Sequence, residues 1–254
     1  MKKLIKITAF FLIANILLMG CEFQPSRQNE QKIERFGSLI KVRPEFEERY
    51  IILHKHTFPG VLDRIHKSNI RNYSIFLKDG ILFSYFEYTG DDYEGDMAKI
   101  GKDTVTREWW KLTDPMQEPL ETRKEGEWWA SMEEIFHHGE KQVPSPIEVR
   151  YAYIAQIKAG VEKELVSNFK KILQDVLKEI KQANIQNYSL YLKDERLYAY
   201  FEYIGKDFKT DIEGLTGSPE IKEWQNQINS LLEPISIDQQ LVYWTDLKEV
   251  FHTD

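Results

Sequence analysis

Apolar residues recur in two rhythms between residues 35 and 138. An apolar run at 36–42 and two runs rich in β-branched and aromatic residues, at 70–77 and 81–88, predict strands. Lys78-Asp79-Gly80 separates the last two and predicts a hairpin turn. After the first strand, Phe46, Tyr50, Leu53 and His54 fall at helical spacing. Pro44 opens that helix, and Glu45, Glu47 and Glu48 follow where the helix dipole favours acids. Pro59 interrupts the run and restarts a helix over 59–66, whose apolar positions are Val61, Leu62 and Ile65. Residues 91–100 and 107–112 read as helices, and 128–136 as a closing strand.

The whole pattern then returns. Ile70-Arg71-Asn72-Tyr73-Ser74-Ile75-Phe76-Leu77-Lys78-Asp79 reappears 115 residues later as Ile185-Gln186-Asn187-Tyr188-Ser189-Leu190-Tyr191-Leu192-Lys193-Asp194. The offset holds from Arg35/Arg150, through Phe86-Glu87-Tyr88/Phe201-Glu202-Tyr203 and Trp109/Trp224, to Phe136-His137/Phe251-His252. Solenoid repeats run at roughly 20–50 residues, so this period means two copies of one domain. The second copy predicts elements at 151–157, 161–180, 185–192, 196–203, 207–215, 221–231 and 241–251. Each copy reads β-α-β-β-α-β, the ferredoxin-like order, with helices on one sheet face and a second face that needs a cover. The linker 139–149, with Pro144 and Pro146, is short and favours packed domains. The expected fold is α+β: two tandem ferredoxin-like domains, 35–138 and 150–254, packed as an intrachain dimeric α+β barrel.

The ends and the composition narrow the setting. Lys2, Lys3 and Lys6 precede an apolar run at 7–19 that is too short for a mature membrane span, the form of a secretory signal peptide. Leu18-Met19-Gly20-Cys21 resembles a bacterial lipobox, and Cys21 is the sole cysteine. The expectation is a leader over 1–21, lipid on Cys21, a polar tether over 22–34, and an exported protein anchored to a bacterial membrane. A net charge of −7 and a pI near 5.5, with no basic stripe, argue against a nucleic-acid surface.

Tyr50 and His54 lie four residues apart on one helix face. Histidine is the side chain whose ordinary pKa permits proton traffic near neutrality, although a lone histidine on an amphipathic helix is more often packed than catalytic. The chain has no HExxH, no CxxC, no Gly-rich phosphate loop and no G-x-S-x-G, so neither a metal nor a cofactor is expected. Its acids are scattered and form no assignable pair. Trp109-Trp110 is an unusual doublet, and tryptophan and tyrosine suit stacking on sugar rings as well as core packing. The copies diverge at these positions. Tyr50 faces Leu165, His54 faces Phe169, and Trp110 faces Gln225, whereas Tyr73 and Trp109 recur as Tyr188 and Trp224. Trp129, Glu134 and His137 recur as Trp244, Glu249 and His252, which favours structural roles.

Tyr50-x3-His54-x4-Pro59, Asn72-Tyr73-Ser74-Ile75-Phe76-Leu77, Trp109-Trp110-x3-Asp114-x-Met116 and Glu134-Ile135-Phe136-His137, in that order, resemble the L-rhamnose mutarotase family over residues 35–138. The resemblance implies interconversion of the α and β anomers of a pyranose, typically L-rhamnose, on dimers of ferredoxin-like subunits. It implies His54 as proton donor and Tyr50, Tyr73, Trp109 and Trp110 as sugar-binding residues. Phe58 stands where the family often has tryptophan, which implies a changed pocket rim. The expected partner is a small sugar, with one active site per chain. Self-association beyond the intrachain pair is left open. A non-catalytic carbohydrate-binding lipoprotein is the alternative, and an oxygenase or haem-handling barrel of the same fold ranks third.

Overall fold

A computed structural model of the chain describes residues 32–139, 149–237 and 239–254. The leader, Cys21, the tether up to residue 31 and the linker segment 140–148 lie outside the described residues. Among those described, no helix is long and apolar enough to cross a membrane.

In the first repeat β1 (Glu34–Val42) leads through a 3-10 turn at Pro44–Phe46 into α1 (Glu47–Lys55) and α2 (Pro59–Lys67). The hairpin of β2 (Ile70–Lys78) and β3 (Ile81–Tyr88) follows, then α3 (Tyr93–Lys102) and α4 (Thr104–Thr113). The predicted turn is there, with Asp79 and Gly80 both at positive φ, as a tight hairpin requires. Glu34, expected as the last residue before the first domain, already pairs with Tyr88. The closing strand is displaced. Trp128 and Trp129 precede it, and the pairing residues are Ala130–Ser131 and then β4 (Glu133–His138).

The second repeat has β5 (Val149–Ile157), α5 (Glu162–Lys170), α6 (Gln174–Gln182), β6 (Ile185–Lys193), β7 (Arg196–Tyr203), α7 (Phe208–Gly217), α8 (Pro219–Asn229) and β8 (Thr245–Thr253). The single helix expected over 161–180 is two helices. No proline marks the break, but Leu173 is extended and restarts the chain as Phe58 does before Pro59. A small hairpin, Ile235–Ile237 with Gln240–Val242, occupies the start of the segment expected as closing strand.

The sheets are antiparallel and continuous across the repeats, in the order β1-β3-β2-β8-β5-β7-β6-β4. Here the structure corrects the picture of two self-contained ferredoxin-like sheets. Each closing strand begins on its own repeat and finishes on the other. Ala130–Ser131 pair with β1, and β4 then pairs with β6. Thr245–Leu247 pair with β5, and the rest of β8 pairs with β2. A bulge sits in each crossing strand, between Glu134 and Phe136 and between Glu249 and Phe251, where the extra residue bends the strand.

Alternation along the strands sorts the core into layers. Leu39, Phe76, Phe83, Tyr85, Tyr191, Tyr198, Tyr200 and Leu247 form the cluster enclosed by the two half-sheets. Their neighbours Ile40, Val42, Ile75, Leu77 and Leu82 face the opposite way, against Tyr50, Val61, Ile65 and Trp109 of the helices. Gly37 admits the Tyr191 ring, since a Cβ at 37 would lie 2.6 Å from a ring carbon. Within the enclosed layer, Asn72 and Asn187 adopt positive φ at matching bulges in β2 and β6, a conformation asparagine tolerates. The bulge shifts the phase of β2, so that Ile70 and Tyr73 both face the helices while Asn72 points inward to Glu87 and Glu202.

Candidate functional site

Between the helices of the first repeat and its sheet lies a cavity of about 650 Å³. Helix α1 supplies Tyr50 and His54, one turn apart, with ring centroids 3.9 Å apart in a stack. Strand β2 supplies Tyr73, and α4 supplies Trp109 and Trp110. All five side chains expected at a site therefore line one cavity. They differ in exposure. Trp110 is 38% exposed at the mouth, whereas Trp109 and Tyr50 are buried, and Tyr50 lies in the wall against His54. Phe58 is not at the rim. It braces Trp109 edge-to-face at 5.2 Å.

The cavity includes residues that the sequence did not place at a site. Phe251 reaches it from β8 of the second repeat, edge-on to His54 at 5.8 Å and to Tyr73 at 5.4 Å. Gln117, Glu127, Trp128 and Trp129 line it from the segment after α4, together with Asp114. The motif around Trp109 already contained Asp114; the others had no sequence signal that separates them from surface or core. Trp129, read as core, is half-buried and packs on the core edge as well as lining the cavity.

His54 is held in one state. Its Nδ1 lies 2.9 Å from the Tyr50 backbone carbonyl, an acceptor, so Nδ1 carries the hydrogen. Nε2 is left as the lone-pair nitrogen for a ligand. Burial lowers the His54 pKa to about 4, partly offset by that backbone hydrogen bond. At neutral pH the ring is thus a neutral acceptor, and donation requires that it first take up a proton. The two carboxyl groups differ. Burial raises the pKa of Asp114. Burial also acts on Glu127, but hydrogen bonds from Ser131 and the Lys124 backbone outweigh it and lower its pKa. Among the described residues no group of three or more His, Cys, Asp or Glu is arranged to hold a metal.

The second repeat replaces this site with core. Leu165 and Phe169 occupy the places of Tyr50 and His54, and both are buried. Phe169 meets Trp224 at 5.3 Å and Phe136 at 5.6 Å, the counterparts of the His54 contacts to Trp109 and Phe251.

The family model described as L-rhamnose mutarotase matches the chain twice, over residues 35–138 and 150–253. The L-rhamnose mutarotase of Lactiplantibacillus plantarum is 26% identical over 105 residues, covering 41% of this chain and 96% of the relative. That of Paraburkholderia phymatum is 32% identical over 79 residues, covering 30% of this chain and 67% of the relative. Among solved structures, a putative monooxygenase from Fusobacterium nucleatum superposes with a TM-score of 0.52 at 12% identity, covering 87% of this chain and 93% of its own. One from Lactobacillus acidophilus gives 0.51 at 9% identity, covering 86% and 95%. At such identities the two structures share the fold alone, that of dimeric α+β barrel proteins, and carry no chemistry across. The sequence match spans both repeats and most of the chain: the protein belongs to the L-rhamnose mutarotase family.

Proposed function

We propose that the protein interconverts the α and β anomers of an aldopyranose, with L-rhamnose as the first candidate, at the cavity between the helices and sheet of the first repeat. The observation that carries the reading is the convergence of Tyr50, His54, Tyr73, Trp109 and Trp110 on that cavity, with His54 presenting Nε2 as an acceptor.

Ring opening requires that the anomeric O1–H lose its proton while the C1–O5 bond breaks and O5 gains one. His54 Nε2 takes the proton from O1 as C1=O1 forms, and the electron pair of the C1–O5 bond moves to O5. The imidazolium then gives the proton to O5. Rotation about C1–C2 and the reverse sequence close the ring on either face. The donor role expected for His54 therefore belongs to the second half of the step. Nothing is consumed, and one positioned acid–base group supplies roughly 10²–10⁴ in rate. Trp109, Trp110 and Tyr73 hold the sugar by its carbon faces and hydroxyls while the reacting atoms move.

Saturation-transfer NMR with L-rhamnose and other aldoses tests this directly. The wild type should exchange the anomer signals above the buffer rate, and His54→Ala should return exchange to that rate. Saturable sugar binding without faster exchange in the wild type would replace the reading with a binding protein.

A further inference from the structure

A hydrogen-bonded chain runs from the cavity mouth to Tyr50, whose ring stacks on His54. The Trp128 indole N–H donates to Gln117 Oε1 at 2.9 Å, and Gln117 Nε2–H donates to Tyr50 Oη at 3.3 Å. The indole nitrogen is a donor only, so the amide atom it meets must be the oxygen. That settles the orientation of the Gln117 amide and makes Tyr50 Oη an acceptor. The Tyr50 ring then stacks on the His54 imidazole, and the Tyr50 carbonyl accepts the His54 Nδ1–H. Trp128 is 44% exposed, whereas Gln117 and Tyr50 are buried, so the chain couples a solvent-facing side chain to the buried ring.

We propose that Gln117 and Trp128 are positioning residues for His54, acting through Tyr50. This rests on the mutarotase reading for its chemistry. The second repeat supplies the control. Gln117 pairs with Val42 of β1, and its counterpart Leu232 pairs with Ile157 of β5 in the same register. Leu232 is fully buried in an intact fold. The fold therefore needs no polar group there, although a buried amide costs stability unless it is bonded. Tyr50, Gln117 and Trp128 correspond to Leu165, Leu232 and Tyr243, so every member of the chain is changed in the repeat where Phe169 replaces His54. A chain that served packing alone would have no reason to change together with the histidine.

The test uses the full chain with Gln117→Leu, the residue that the second repeat proves compatible with the fold, and Trp128→Phe, which keeps a ring and removes the N–H. Each should lower kcat for anomer exchange roughly 10-fold with KM little changed, since a loosened reacting group loses rate before affinity. In a Tyr50→Phe background neither substitution should lower the rate further. Nitrogen-15 spectra of labelled histidine give a readout that needs no turnover. In the wild type His54 should show a single tautomer protonated on Nδ1, and in both variants a mixture of tautomers that titrates at higher pH. Additive rate losses in the Tyr50→Phe background, or His54 signals identical in all variants, would overturn the proposal. A wild type that fails to accelerate exchange would sink the mutarotase reading alone, and the nitrogen-15 spectra would still decide the chain.

Discussion

Acid should disarm His54 only near pH 4, because burial holds its folded pKa at about 4 against an ordinary value of 6.5. The exchange rate should stay flat from neutrality to about pH 5 and fall below that. Stability responds earlier. Between the two pKa values the unfolded chain binds the proton and the folded chain does not, so stability rises with pH in that window. The contribution is complete above about pH 6.5 and is lost as pH falls towards 4. At about 1.4 kcal/mol per pKa unit, roughly 2 kcal/mol should disappear between pH 7 and pH 5. His137, lowered to about 3 by burial and by Arg35, acts in the same direction. Urea midpoints across that range check the slope. His54→Phe, the second repeat's own solution, should make it shallower and leave the His137 part, keep the fold and abolish exchange. The residue pair Tyr50 and His54 was legible from helical spacing and from its loss in the second copy. Its protonation state was not, since that depends on a backbone carbonyl one turn away and on burial supplied by other elements.

The closing strands carry the clearest effect at the scale of elements. β8 completes the half-sheet of the first repeat and delivers Phe251 to the cavity. A chain ending before Thr245 should lose the pairing of both β2 and β5, not one strand of one domain. The expected result is loss of the cooperative urea transition and of anomer exchange, read by NMR dispersion and the exchange assay. A truncated chain with native dispersion would contradict the strand exchange. The hairpin at Asp79-Gly80 and the helix start at Pro59 could be read locally, because turn and cap chemistry involve neighbours in sequence. The destination of each closing strand could not. The two copies carry the same motif, so alternation identifies a strand but does not distinguish its own sheet from the other.

Across the whole molecule the repeats are joined by a buried polar cluster. Asn72 Nδ2 donates to Glu87 and Glu202, and so does Asn187 Nδ2. The Tyr85 and Tyr200 rings stack at 3.7 Å beside them. Glu202 also accepts from Gln186 and Tyr200. Glu202→Ala would strip several buried donors of their acceptor at once. The expected loss is at least about 3 kcal/mol, measured by urea unfolding at neutral pH. Because the cluster and the exchanged strands draw on both copies, the repeats should unfold in one transition, and a resolved two-step transition would argue against that coupling. Asn72 and Asn187 were visible only as parts of a repeated motif. Their role depends on positive φ and on a partner carboxylate from the other repeat.

The sequence by itself determined the duplication, most strands and helices of each copy, and the five aromatic and histidine residues of one copy that differ in part from the other. These are matters of period, turn chemistry and residue identity, all local or comparable at a constant offset. The tertiary structure alone decided that the copies trade closing strands, that Phe251 walls the site of the other repeat, and that Trp128 and Gln117 reach His54 through Tyr50. Those contacts join residues far apart in the chain, and their energies arise only once burial has removed water from between them.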